Sequence, residues 1–498
     1  MSITRSAGIL LPIASLPSEH GIGTLGKEAY KFIDFLVKAN QSYWQILPIG
    51  PTSYGDSPYQ SFSTFAGNPY YIDLDILVKE KLLVKEEADS LIVHNPQYID
   101  YGYVYYSRFD VLRKAYKRFI KKPQDEFEQF IKDNEKWLDD YSLFMAVKSH
   151  FDMVCWLQWP DEDIRLRKPE AIEKYKEELK DDIRFWKFLQ YQFYKQYNEM
   201  KKYANDNGIK IIGDLPIYVA LDSADCWSNP NQFKLDEENI PVEVAGVPPD
   251  YFSEDGQLWG NPLYDWEKMK EEGYKWWIER IDGASKCYDV IRIDHFRGFQ
   301  QYWAVPYGDT TARNGRWIDG PSYDFVSVLK NWFYYVDFIA EDLGIISEDV
   351  TKLLQFSGYP GMRVLEFGMN PVEPSYHTPH NHIENCVCYI STHDNSPIMG
   401  WHDTAEQGDV KHAIKYFGIS KKEGYNWGFI RGGMSSVCNL FVAQIQDYLG
   451  LGEEARTNSP GQINQWKWRL LPGQCDKKLA EKIFEVTRIY GRGRNKKK

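Results

Sequence analysis

The sequence predicts an α/β protein: a closed (β/α)8 TIM barrel with helical and loop insertions at its carboxyl-end face and no separate C-terminal β-domain. Three observations carry this expectation. Short apolar runs ending in polar or charged residues recur along the chain, helical patterns separate several of them, and 43% of the 498 residues are hydrophobic, ample for one large core. Alternating strand and helix signals argue for a parallel sheet, and this many argue for closure. Residues 1–498 are read as a single catalytic unit. Barrels with insertions routinely exceed the prior of about 150 residues per domain.

The first two strands are "GILLP" (8–12) and "YWQILPIG" (43–50). Between them, "GKEAYKFIDFLVKAN" puts Tyr30, Ile33, Phe35, Leu36 and Val37 mostly along one helical stripe. The next strands are "IKIIGDLPIYV" (209–219), "VIRIDHF" (290–296), "FIAEDLG" (338–344), "MRVLEFG" (362–368) and "VCYISTHD" (387–394). The eighth falls near 428–445 or close to "RTNSPG" (456–461). Residues 72–207 break the rhythm. They are rich in Lys, Glu, Tyr and Phe and read as a helical insertion between the second and third strands. Its last part, 169–208, is one long helix or two, stopped by Asn207-Gly208. Residues 220–285 form a second insertion, loop-rich in Pro, Gly and Asn, that contributes to the substrate cleft.

Composition excludes several classes. A net charge of −12 argues against a phosphate-tracking surface and so against nucleic acid, and "GRGRNKKK" at the end is a solvated tail. Prolines interrupt the apolar run in "MSITRSAGILLPIASLPS", no small-residue cleavage site follows, and no stretch of about 20 apolar residues exists to cross a membrane. Seven scattered cysteines read as reduced thiols in a cytoplasmic enzyme. Cys386 and Cys388 share one strand face as small buried hydrophobes. His377, His380 and His382 read as an exposed polar loop in preference to a zinc site. Aromatic residues make up 16%, many in loops such as "YGDSPYQSFSTFAGNPYY" (54–71), which suits stacking on sugar faces.

The chemistry lies in acids at strand ends: Asp214, Asp294, Glu341 with Asp342, and Asp394 after His393. Gathered carboxylates repel one another, and two uses compete for them, a divalent metal or glycosidic acid/base chemistry. Arg292 weighs against the metal and no cofactor is expected. It sits two residues before Asp294, hence on the same strand face, where a fixed cation repels a metal and keeps a carboxylate ionised. Retaining glycosidases need one ionised carboxylate and one protonated carboxyl about 5 to 5.5 Å apart. Crowding by Asp294 and Asp394 is expected to raise the proton affinity of Glu341.

"GDLPIYVALDSADCW" (213–227), "RIDHFRGF" (292–299), "AEDLG" (340–344) and "STHDN" (391–395) resemble the four short regions of the α-amylase clan. More narrowly they resemble the 4-α-glucanotransferases of glycoside hydrolase family 77, the amylomaltases or disproportionating enzymes. The clan's first region carries Asn-His after its Asp. Here Leu-Pro-Ile-Tyr-Val follows Asp214, as in amylomaltases. "SPYQSFSTFAGNPYYIDLD" (57–75), "GVPPDYFSEDGQLWGNPLYDW" (246–266) and "RTNSPGQINQWKWR" (456–469) extend the resemblance over nearly the whole chain.

The resemblance implies transfer of α-1,4-glucan segments among maltooligosaccharides, amylose, or starch and glycogen fragments. It makes Asp294 the nucleophile, Glu341 the general acid/base and Asp394, with His393 beside it, a grip on sugar hydroxyls. Arg292 orients Asp294, Asp214 supports the donor subsite, and Tyr59, Tyr251, Phe252 and Trp259 line the cleft. His295 reads as a structural hydrogen-bonder. Two alternatives remain open, an α-glucan hydrolase of the same clan and a non-catalytic glucan-binding protein.

Overall fold

A computed structural model describes residues 3–53, 55–93, 95–249 and 253–494. Among the described residues twelve strands form two sheets. In chain order they are β1 (Ser6–Leu10), β2 (Tyr43–Gln45), β3 (Lys210–Leu215), β4 (Glu243–Val247), β5 (Gln257–Pro262), β6 (Val290–Ile293), β7 (Gln301–Pro306), β8 (Arg316–Asp319), β9 (Asp337–Ala340), β10 (Gly361–Val364), β11 (Cys386–Tyr389) and β12 (Leu440–Gln444). Eight pair in parallel in the order β10-β11-β12-β1-β2-β3-β6-β9. The Ala340 N–H donates to the Pro360 carbonyl at 2.9 Å, which brings β9 beside β10 and nearly closes the barrel. The eighth strand is β12, inside the first of its two expected positions.

Strand alternation divides the core into two layers. Leu10, Tyr43, Ile212, Val290, Ile339, Met362, Val387, Tyr389 and Val442 fill the barrel interior. Their neighbours Ile9, Trp44, Ile211, Ile291, Phe338, Cys388 and Phe441 face outward onto the helices. Both faces of each strand are buried, as a parallel sheet inside a helical layer demands. Gly213 belongs to the outer face of β3, and a Cβ there would stand 2.1 Å from the Tyr288 ring. Only glycine lets that ring lie flat on the sheet.

The helix Lys27–Lys38 buries Ala29, Phe32, Ile33, Phe35 and Leu36, while Tyr30 and Val37 lie at the margin of its stripe. Between β2 and β3 the chain is helical, with Tyr101–Phe119, Glu135–His150 and Lys180–Asp206 as the long elements. Residues 169–208 make two helices, Pro169–Glu178 and Lys180–Asp206. Gly208, at φ +74°, ends the second by taking the left-handed conformation that terminates helices without a Cβ penalty.

Two readings are corrected. The segment 220–285 is not loop throughout: β4 and β5 lie in it, and with β7 and β8 they form an antiparallel sheet in the order β5-β4-β7-β8. Its last part belongs to the helix Lys275–Cys287, which leads into β6. The histidine loop is not exposed throughout either. His377 and His382 are buried, His377 Nδ1 accepts from the Val364 N–H at 3.0 Å, and His382 Nδ1 lies 2.7 Å from Ser436 Oγ. Cys386 and Cys388 are buried, and all seven cysteines are free. Among the described residues no helix is long and apolar enough to cross a membrane.

Candidate active site

β6 sets the site. Val290 faces the barrel interior and Ile291 and Ile293 the helices, so Arg292 points inward and Asp294 follows on the same face. A guanidinium inside a barrel is costly unless every charge is met. The register places Asp214 of β3 directly opposite, and Arg292 Nη1 donates to both Asp214 oxygens at 2.7 Å and to Asp294 Oδ1 at 3.0 Å. One arginine therefore ties two carboxylates from adjacent strands.

Past Asp294 the chain turns at His295, whose φ of +52° is uncommon for a non-glycine residue. The turn aims the His295 N–H at Glu341 Oε2, 2.7 Å away, and the Leu343 N–H reaches Oε1, also at 2.7 Å. Each Glu341 oxygen thus accepts one backbone donor just beyond the carboxyl end of β9. Its neighbour Asp342 turns aside. It accepts from the Met362 N–H at 2.6 Å and from Arg363 Nη1 at 3.0 Å, so it serves β10 and not the cleft.

Asp394 is held from the chain's far end. Asn458 Nδ2 donates to its Oδ1 at 2.6 Å and Arg456 Nη2 to its backbone carbonyl at 2.8 Å. Tyr59 closes the ring of contacts: its hydroxyl donates to Asp214 Oδ2 at 2.7 Å and lies 2.8 Å from His393 Nε2. With that hydroxyl hydrogen given to Asp214, Nε2 of His393 carries a proton, shared between Tyr59 and Asp394 Oδ2 at 3.3 Å. The Tyr59 and His393 rings stack at 5.4 Å and 15°. Trp259 meets His295 edge-on at 4.9 Å, and its ring is partly exposed.

The electrostatics separate the acids. Burial raises Asp294 to about 6, against the pull of Arg292. Burial raises Glu341 further, to about 7; Arg292 pulls it down and the Asp294 charge pushes it up. The cation touches Asp294 directly, so a shared proton belongs on Glu341. Burial would raise Asp394 too, but His393 and the Asn458 hydrogen bond win and hold it at about 2. Burial alone would lower His393, and Asp394 more than offsets it, leaving that imidazole above its usual value. Arg292 likewise overcomes burial through Asp214 and Asp294 and stays charged.

Asp294, Arg292, Asp214, Tyr59, His393 and Asp394 therefore form one bonded network, Glu341 is tied by charge to its Arg292 and Asp294, and Trp259 packs on the neighbouring His295. Tyr251 and Phe252 lie outside the described residues. A sugar contact by Asp214 does not fit: its side chain has no exposed surface and its oxygens are taken by Arg292 and Tyr59. Arg292, 3% exposed, is likewise closed off, with its Nη1 bound to Asp214 and Asp294. Side chains of Asp294 and Asp394 remain 27% and 38% exposed and can meet a sugar. Asn458 and Arg456 are partners of Asp394 that spacing did not reveal; their only signal was the "RTNSPG" motif.

Among the described residues no group of three or more His, Cys, Asp or Glu side chains is placed to hold a metal ion. Arg292 supplies the positive charge beside Asp294 instead. Dialysis against a chelator is expected to leave activity unchanged. Activity lost and then restored by Mg²⁺, Mn²⁺ or Ca²⁺ would reinstate the metal reading.

A (β/α)8 barrel with acids gathered at its strand ends and split in proton affinity defines a class, the carboxylate-dependent enzymes of glycosidic bonds. Within it, the profile of glycoside hydrolase family 77, described as 4-alpha-glucanotransferase, matches residues 11–474, and the chain belongs to that family. A 4-alpha-glucanotransferase of Clostridium butyricum is 50% identical over 484 residues, covering 96% of this chain and 99% of that one. One from Thermus thermophilus is 42% identical over 487 residues, covering 95% and 96%. The solved amylomaltase from Streptococcus agalactiae in complex with acarbose superposes with a TM-score of 0.96 at 40% identity, covering 98% of this chain and 100% of that one.

Proposed function

We propose that this 4-alpha-glucanotransferase works by retaining double displacement, moving segments of maltooligosaccharides, amylose, or starch and glycogen fragments. Asp294 attacks the anomeric carbon while protonated Glu341 gives its proton to the leaving glycosidic oxygen. A covalent glucosyl–Asp294 ester forms and a shorter glucan departs. Glu341, now ionised, takes the proton from the 4-hydroxyl of an acceptor glucan, whose oxygen displaces Asp294 and forms a new α-1,4 bond. Asp394, low in proton affinity and partly exposed, accepts hydrogen bonds from sugar hydroxyls throughout. The observation that carries the reading is the split pair: Arg292 against Asp294, and the proton on Glu341. Free cysteines fit work in a reducing cytoplasm.

Transferase and hydrolase share the first half of this reaction and differ in what reaches the ester. Trp259 beside His295 offers a ring for the acceptor sugar. An oriented hydroxyl commands an effective molarity of up to about 10⁵ M in ideal cases, against roughly 55 M for bulk water. Transfer exchanges one α-1,4 bond for another and creates no reducing end. Maltotriose is therefore expected to yield glucose and longer maltodextrins while total reducing ends stay nearly flat. Reducing ends that climb in step with glucose, without longer chains, would identify a hydrolase.

A further inference from the structure

Asp447 is a fully buried carboxyl to which the transfer reaction gives no role. It lies in the helix Ile445–Leu449, directly after β12. A buried acid is costly unless its oxygens are met, and both of these are. The Ile398 N–H donates to Oδ1 at 2.8 Å, and Ser391 Oγ reaches Oδ2 at 3.4 Å. Those two donors are the ends of one loop, 391–398, which leaves β11 and carries His393 and Asp394. Ile398 opens the helix Ile398–Thr404, which no N-cap side chain serves, so Asp447 meets one of its free first-turn donors. The longer bond, at Ser391, is reinforced from the end of β12. Gln444 Nε2 donates to Ser391 Oγ at 2.8 Å and to the Thr392 carbonyl at 2.9 Å. Asn426 Nδ2 anchors Asp447 in turn, donating to its backbone carbonyl at 2.8 Å.

We propose that Asp447 is a positioning residue: its carboxyl clasps both ends of the loop and fixes where Asp394, with His393 beside it, stands in the cleft. The inference rests on the reading of Asp394 as a grip on sugar hydroxyls. Asn458 and Arg456 hold Asp394 at its side chain and its carbonyl. The clasp instead sets the path of the backbone that brings Asp394 there, and a loop pinned at both ends has fewer conformations open to it. Such a hold matters because a displacement of about 1 Å can cost 10²-fold in rate. The clasp depends on bonds and not on charge. Burial raises Asp447 to about 7 against the pull of its donors, so much of it is neutral at physiological pH. A neutral amide in its place can still accept from the Ile398 N–H and donate to Ser391 Oγ.

The test is a double-mutant cycle on maltoheptaose binding, run in the Glu341→Gln background to stop turnover. Asp447→Ala is expected to weaken binding about five- to tenfold, the scale of one hydrogen bond to a charged group. With Glu341 present it lowers kcat by up to about 10²-fold. Asp447→Asn restores most of both. Added to Asp394→Ala, Asp447→Ala weakens binding no further, because the clasp acts through Asp394. Two single losses that simply add would mark a general structural role and overturn the proposal, as would parental binding and turnover in Asp447→Ala. Should that variant unfold, Ser391→Ala opens one end of the clasp and keeps the helix bond, and its smaller loss must likewise vanish beside Asp394→Ala. Unweakened binding in Asp394→Ala, with Asp447→Ala still weak, sinks the reading of Asp394 and leaves the clasp acting through His393.

Discussion

Replacing Glu341 with Gln lowers the transfer rate constant by about 10²- to 10⁴-fold and leaves maltodextrin affinity nearly unchanged, the range expected for loss of a general acid–base. The substitution keeps the volume, and the amide oxygen can still accept one backbone N–H, from His295 or Leu343. What it removes is the proton that burial and the Asp294 charge keep on this carboxyl near neutral pH. Asp342→Asn supplies the contrast. That side chain is bound to Arg363 and the Met362 N–H, so its loss costs stability and leaves the chemical step largely intact. Single-turnover rates for the two variants, with binding measured separately, check the assignment. Near-native turnover in Glu341→Gln with collapse in Asp342→Asn would exchange their roles.

What the sequence made legible follows from local geometry. Strand alternation alone puts Arg292 and Asp294 on one face of β6, and the barrel's topology gathers Asp214, Glu341 and Asp394 at the same end. Those are consequences of period and order, readable from spacing. The contacts that fix each acid are not local. Asn458 reaches Asp394 from 64 residues away and Tyr59 reaches Asp214 from 155, and no periodicity encodes such meetings.

The second sheet was hidden for a related reason. β4 and β5 carry Gly246, Gly260 and Pro262 and read as loop, because glycine and proline lower strand propensity while cross-strand pairing with β7 decides the outcome. The buried state of His382 was equally unreadable, since it depends on Ser436 and Cys438, more than fifty residues further on. Asp214 shows the limit from the other side. Its position at a strand end was evident, but whether it faces sugar or arginine depends on the register between β3 and β6.

Arg292→Met tests the electrostatic centre of the site and is expected to fail in two measurable ways. Methionine fills much of the volume but leaves Asp214 and Asp294 without the cation that binds both. Breaking one side of a buried ion pair costs about 3–5 kcal/mol, against about 0–1 for a surface pair, so desolvation of the orphaned carboxylates decides the outcome. The sign with pH follows from the direction of the shift. In the wild type Asp294 is already raised to about 6, and a carboxyl raised in the folded state makes stability fall as pH climbs from its unfolded value near 4 through the folded one. Without Arg292 the folded value rises further, so urea unfolding at pH 5 and pH 8 should show a steeper loss toward pH 8 than in the wild type. Activity responds through the same proton. The Asp294–Glu341 pair gives the wild type a narrow bell in kcat/KM with limbs near 6 and 7, values that belong to the pair. Arg292 holds down both Asp294 and Glu341, so in Arg292→Met the whole bell moves upward, the acid limb by about a pH unit or more, and at neutral pH little enzyme has Asp294 ionised. A variant that loses activity with its acid limb unmoved would make Arg292 a packing residue and remove the ground on which Asp294 is proposed as the nucleophile.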